Sequence, residues 1–145
     1  MTSFHSNTER TVSRTGVYGI ALQNRKILLV KQQRGPHAGR FDLPGGGIEA
    51  GETIECALQR EFREEVAMCF DSMQILENLT AITKGLNNNG DPYFLHQIGL
   101  IYRVEGLTEL QNQTPEMEYF WITPEQLSEI DSSPFLNQIR TTAFY

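Results

Sequence analysis

The sequence predicts an α/β protein in which helices pack around a mixed β-sheet, an α/β sandwich. Three observations carry this. One segment, from Ile54 to Val66, repeats apolar residues at helical spacing. Several other segments are short apolar runs rich in Val, Ile, Tyr and Phe, bounded by Gly, Pro or Asn. Strands thus precede and follow a helix, and two more helix starts close the chain, an order that layers helices on a sheet. With 145 residues the chain can build one core and falls short of two ordinary domains, so residues 1–145 are read as a single domain.

Met1 to Thr11 is polar and reads as a flexible tail containing His5. Thr15 to Leu22 reads as a strand, Gln23-Asn24-Arg25 as a turn, and Lys26 to Gln33 as a second strand forming a hairpin with the first. Arg34 to Gly39 is a loop by its Gly and Pro content. Phe41 to Pro44 is a short extended piece leading into Gly45-Gly46-Gly47. A helix follows Thr53. Met73 to Thr83 and Tyr93 to Val104 read as strands, separated by a loop from Lys84 to Pro92. His96 is read as a sheet residue, and the aromatics Tyr93, Phe94, Tyr119, Phe120 and Trp121 as mostly core by strand alternation. Gly106 to Pro115 is a polar connection, and Glu118 to Ile122 the last strand. Thr123-Pro124 supplies an N-cap and a first-turn proline for a helix, and Pro134 opens a final short one.

The composition, 39% hydrophobic and 21% charged, is that of a folded globule. The net charge of −6 argues against binding to nucleic-acid backbones, which needs clustered Lys and Arg. It leaves phosphorylated small molecules open, because metal ions supply positive charge locally. Cys56 and Cys69 form no CxxC motif and no disulfide framework, and are read as reduced thiols of a cytoplasmic protein. The N-terminus has no signal-peptide core, and no segment has the length of a membrane-spanning helix.

The helix after Thr53 points to chemistry. Its apolar stripe is Ile54, Ala57, Leu58, Phe62 and Val66. Glu61 and Glu65 fall inside that arc, and Glu64 at its edge. Burying unpaired carboxylates is costly, and three together repel one another. A hard divalent cation with oxygen ligands removes both costs.

The segment from Gly46 to Met68 resembles the Nudix box. Gly46, Glu52, Arg60, Glu61, Glu64, Glu65 and Met68 stand at the pattern's spacings, and Phe62 fills its apolar slot. Ala67 departs from it, standing where the family has glycine. The resemblance implies a Nudix α/β/α sandwich. It implies that Glu61, Glu64 and Glu65 bind Mg²⁺ or Mn²⁺, joined by the backbone carbonyl of Gly45. It implies that Arg60 and Glu52 brace the loop-helix junction, and that the general base is Glu61 on the helix or Glu116 on a late loop. For Ala67 the expectation is a right-handed conformation, with Val66-Ala67-Met68-Cys69 extending the helix and the turn delayed toward Asp71.

Substrate contacts are read from residue type. Arg34 suits phosphate by its bidentate geometry, and His37 or Phe41 suits a base by stacking. The expected partner is a small-molecule nucleotide, with no nucleic acid and no membrane; a homodimer is left open. The resemblance implies a metal-dependent pyrophosphohydrolase that splits a P–O–P bond, most nearly a MutT-like enzyme acting on a nucleoside triphosphate. ADP-ribose and dinucleoside polyphosphates remain alternatives, although Thr83-Lys84-Gly85-Leu86 lacks the proline and tyrosine that mark those subgroups after the box. A rival of another class is a catalytically inactive Nudix-fold ligand sensor. Such modules usually lose box glutamates, and all are present here.

Overall fold

The computed structural model describes residues 10–139. Arg10 and Thr11, read as part of a tail, belong to the first strand, and Met1 to Glu9, with His5, lie outside the described residues. Strand β1 (Arg10–Gln23) turns into β2 (Lys26–Lys31) and is followed by β3 (Phe41–Asp42) and β4 (Gly45–Gly47). Helix α1 (Ile54–Val66) carries the acidic segment. Then come β5 (Met68–Cys69), β6 (Ser72–Leu86), β7 (Pro92–Glu105), β8 (Thr108–Glu109) and β9 (Tyr119–Ile122), closed by α2 (Pro124–Leu127) and α3 (Pro134–Ile139).

The main sheet runs β3-β2-β1-β7-β6, with β4 also on β1 and β9 on β2. β1 and β7 are parallel over twelve register pairs, from Arg10↔Tyr93 to Ala21↔Val104, and the other pairings are antiparallel, so the sheet is mixed. β5 and β8 form a separate two-stranded ribbon. The β1–β2 turn places Asn24 (φ 51°) and Arg25 (φ 64°) in the left-handed region, as a two-residue hairpin requires.

Both faces of the central strands are covered, which explains why β2 reads as a continuous apolar run. Val17, Ala21, Leu28 and Val30 face α1, where they meet Ala57, Leu58, Phe62 and Val66. Tyr18, Ile20, Ile27 and Leu29 face the opposite side, where they meet Leu127, Phe135, Leu136 and Ile139. Phe62 sits over Gly19, where an added Cβ would lie 2.7 Å from its ring. The architecture is the expected sandwich. Ile54, expected in the stripe, is 37% exposed: as the first helical residue it projects beyond the sheet, and the other four carry the packing.

The end of α1 also differs from expectation. Ala67 is left-handed (φ 54°, ψ 43°), its N–H donates to the Phe62 carbonyl, and the chain enters β5 at once. The cause lies downstream: β8 pairs with Met68 and Cys69, and Leu110 N–H donates to the Ala67 carbonyl at 2.9 Å. Those bonds require the chain to leave the helix at residue 67. A left-handed conformation costs a residue with a Cβ roughly 1–2 kcal/mol. Ala67→Gly relieves that cost but loses a buried methyl and gains unfolded-state freedom, so we expect a melting temperature equal to or slightly above the parent's. Ala67→Val is the sharper test. A β-branched residue there is expected to lower the melting temperature by about 4–8 °C. An unchanged melting temperature for that variant would instead place residue 67 in the right-handed region.

Candidate active site

The carboxylates of α1 gather against the glycine strand β4. Thr53 caps the helix, its hydroxyl accepting from Cys56 N–H at 3.1 Å. That fixes the start of the helix one step after Glu52. The positions of Glu61, Glu64 and Glu65 on one face then follow from the helical repeat.

Gly45 and Gly46 are glycines for steric reasons. Gly45 has φ +147°, and a Cβ on it would collide with the backbone of Val17 and Tyr18. A Cβ on Gly46 would lie 2.7 Å from the carboxylate of Glu61. The glycines let the strand approach the acidic helix to within hydrogen-bond distance: Gly45 N–H donates to Glu65 Oε1 at 2.9 Å.

Arg60 organises the junction. Its Nε and Nη2 donate to the two oxygens of Glu52 at 2.7 and 3.0 Å, and Nη2 also donates to the Gly47 carbonyl at 3.0 Å. Its Nη1 donates to Glu61 at 3.0 Å and Glu64 at 3.3 Å. Glu52 in turn accepts from Glu49 N–H at 2.8 Å. The hydrogen bonds from Arg60 hold the Glu52 carboxyl below the usual carboxylate range. They bring Arg60, Glu52, Glu61 and Glu64 into one network, with the loop carbonyl inside it.

Glu65 lies outside that network. Burial pushes its carboxyl up to about 8, with Glu61, Asp42 and Glu64 adding repulsion and the Gly45 N–H opposing. Burial also raises Glu61, less effectively because Arg60 is bonded to it. The group is therefore a set of hard oxygen donors short of positive charge, which fits a divalent cation. As the side chains stand, no three His, Cys, Asp or Glu groups converge on one point among the described residues. Glu61 and Glu64 lean on Arg60 instead.

A late loop docks on the end of α1. Glu116 N–H donates to the Glu64 carbonyl at 2.9 Å, Met117 N–H to the Glu65 carbonyl at 3.1 Å, and Gln113 Nε2 to the Arg63 carbonyl at 2.8 Å. These bonds satisfy carbonyls that a helix end leaves without partners. They place the exposed Glu116 in a cleft of about 510 Å³ with Arg34, Gln32, Gln33 and Met117.

His37 and Phe41 do not line that cleft. His37 is 8% exposed, with Nε2 3.3 Å from Gln97 Oε1 and its buried Nδ1 without a partner. Phe41 packs edge-on against Phe120 at 5.2 Å, with Lys31 Nζ 5.8 Å from its ring centre. Among the aromatics read as core, Tyr119 and Trp121 pack on the α1 side and Phe120 on the other. Tyr93 does not: it is half-buried and lines a second cleft.

Asp42 escaped the sequence reading. It is 5% exposed and accepts from Leu43 N–H at 2.8 Å and Gln32 Nε2 at 3.2 Å. Burial raises its carboxyl, with the Ser133 hydrogen bond opposing. Its position before Leu43-Pro44-Gly45 was legible, but a two-residue strand bridging β2 and the chain before α3 was not.

A helix-borne carboxylate set braced by one arginine against a glycine strand, on this mixed sheet, defines a Nudix hydrolase. The chain matches the NUDIX domain over residues 12–140 and belongs to that family. It is 32% identical over 127 residues to nucleoside triphosphatase NudI of Escherichia coli, covering 81% of this chain and 87% of that protein. It is 48% identical over 52 residues to the ADP-ribose pyrophosphatase of Methanocaldococcus jannaschii, a match spanning 36% of this chain and 31% of that protein. Its fold superposes on the MutT NUDIX hydrolase of Burkholderia pseudomallei with a TM-score of 0.68 at 22% identity, covering 90% and 97% of the two chains. Nudix hydrolases need divalent metal ions. No helix among the described residues is long and apolar enough to cross a membrane.

Proposed function

We propose that this enzyme hydrolyses a nucleoside triphosphate to the monophosphate and pyrophosphate, using Mg²⁺ or Mn²⁺. The observation that carries the substrate class is the match to a nucleoside triphosphatase over most of both chains. The complete set of box glutamates favours an enzyme over a ligand sensor. Glu61, Glu64 and Glu65, with the Gly45 carbonyl, are the groups that would hold the cation. When bound it supplies charge neutralisation at the phosphate oxygens and a more acidic water.

The chain's own residues do the rest. Arg60 fixes Glu52 and the Gly47 carbonyl, and so holds the glycine strand against the helix. Arg34 meets the polyphosphate in the cleft it shares with Glu116. Glu116 takes the proton from the attacking water at its carboxylate. Its backbone bond to Glu64 supports this role, because it ties the base to the helix bearing the metal ligands. Glu116→Gln is then expected to lower kcat by about 10²–10⁴ without changing metal affinity. Parent activity in that variant would move the role to Glu61.

The substrate class is tested by incubating the protein and Mg²⁺ with a nucleotide panel in oxygen-18 water. Monophosphate and pyrophosphate should appear, with the label marking the attacked phosphorus. Turnover confined to ADP-ribose would overturn the triphosphate reading and keep the hydrolase. The short, high-identity match to an ADP-ribose pyrophosphatase is the reason to include that compound.

A further inference from the structure

The β6–β7 hairpin ends in the tip Asn87-Asn88-Asn89-Gly90-Asp91, which the hydrolase reading leaves unused. Strand pairing reaches Leu86↔Pro92, so these residues lie beyond the ladder. Asn87 and Asn88 border the second cleft, about 690 Å³, whose other residues include Arg10, Arg14 and Tyr93. The parallel pairing of β1 with β7 brings those three together.

The three asparagines are not equivalent. Asn87 is the anchor of the tip: its Oδ1 accepts from Asn89 N–H and Asp91 N–H, both at 2.9 Å. Its main-chain carbonyl accepts from Gly90 N–H at 3.0 Å. The Asn87 carboxamide is thereby held in place. Asn88 is followed by Asn89, whose Cβ crowds the main-chain nitrogen next to the Asn88 side chain. Asn89 differs on both counts. It is exposed, and its carboxamide has no hydrogen-bond partner among the described residues. It also begins the chain's one Asn-Gly step. Gly90 has φ +80°, and nothing lies within 4 Å of where its Cβ would stand, so the space beside its nitrogen is open.

We propose that Asn89 is a site of spontaneous covalent modification, losing its side-chain amide through a succinimide closed by the Gly90 nitrogen. That nitrogen attacks Asn89 Cγ, and an N–Cγ bond forms. The bond from Cγ to the side-chain nitrogen breaks, and ammonia leaves with the proton that Gly90 gives up. Water then opens the ring. Opening at Cγ leaves aspartate at position 89; opening at the Asn89 main-chain carbonyl leaves isoaspartate, with the chain running through Cγ. One water is consumed and one ammonia released, so no oxidant or cofactor is needed.

One bond restrains the reaction. Gly90 N–H must leave the Asn87 carbonyl before its nitrogen can attack. That requires opening of the tip alone, because Asn88 to Asp91 are exposed and the ladder beneath them stays paired. The product alters the hairpin beside the cleft. A carboxylate replaces a neutral amide on the element that shares the cleft with Arg10 and Arg14. Isoaspartate also lengthens the main chain between the two N–H groups that Asn87 Oδ1 binds, and so disrupts its anchoring.

The test is peptide mapping by mass spectrometry of the purified full chain, aged in its folded state in mildly alkaline and mildly acidic buffers. The peptide holding Asn89 is expected to gain about 1 Da, as exchange of an amide for a carboxyl requires. The gain should be faster in the alkaline buffer, where the attacking nitrogen loses its proton more readily. Two products should separate, aspartate and isoaspartate, and in oxygen-18 water both should carry the heavy oxygen. Asn89→Gln should abolish the gain, because a glutamine would have to close a larger ring. Asn88→Gln should leave it unchanged. Matching melting temperatures of parent and variants keep the comparison within the folded state. A gain that survives Asn89→Gln overturns the assignment, and aspartate without isoaspartate overturns the succinimide route. No gain in the folded parent, with a gain in the denatured chain, also overturns the proposal, since the native tip would then prevent the reaction.

Discussion

Glu65→Gln is expected to reduce kcat by on the order of 10²-fold or more while the protein stays folded. The change keeps size and the hydrogen bond from Gly45 N–H to Oε1, and removes the charge that would hold a cation. Glu64→Gln should behave alike. The metal-free protein gives an independent signature. Glu65 has a folded value of about 8 against an ordinary 4.5, so the folded state holds a proton that the unfolded state has released. Stability from this group is complete below about pH 4.5 and is lost as pH rises toward 8. The melting temperature of the metal-free parent should therefore decline through that window. In Glu65→Gln the decline should be smaller, and in the parent added Mg²⁺ should offset it by binding the ionised form. Full activity in Glu65→Gln would remove the residue from the site, and a flat profile in the parent would contradict its burial.

Arg60→Ala is the second large effect. Removing the guanidinium strands Glu52 and Glu61, whose side chains are 17% and 13% exposed, and frees the Gly47 carbonyl. Losing these hydrogen bonds is expected to lower the denaturation midpoint. Metal affinity should fall about 10- to 100-fold, because the carboxylates lose the group that orients them. Calorimetric titration with Mn²⁺ reads this directly. Arg60→Lys should recover part of the stability through its charge and little of the affinity, since an ammonium cannot donate side by side to both oxygens of Glu52. A surface ion pair between Arg60 and Glu64 alone would give only a few tenths of a kcal/mol.

The box was legible because its constraints are local. A helix repeat, a cap and a steric need for glycine all act within about twenty residues of chain. Arg60 and Glu52 stood at readable positions for the same reason, and Thr123-Pro124 announced α2 as an N-cap followed by a first-turn proline. The first strand was underestimated because Arg10, Thr11, Ser13 and Arg14 are polar. They are held in the sheet by β7, more than eighty positions away, and not by their own propensity. β4 is three glycines and has no strand signal at all; its pairing with β1 is dictated from outside. Ala67 shows the same thing at one residue. Its neighbours favour a helix, and the ribbon from β8 overrules them. What the sequence concealed was therefore the long-range pairing, together with the second cleft that depends on it.

The docking of the late loop on α1 is written mainly in main-chain atoms. Leu110, Glu116 and Met117 each give a backbone N–H to the helix end, and the Gln113 side chain adds one more hydrogen bond. Any amino acid but proline can supply those backbone donors. The side chain at position 116 is thus free to change while the loop keeps its register against the acidic helix. The mount is constant and the tool it carries is exchangeable, so this edge of the enzyme can acquire a different reaction partner without rebuilding its frame.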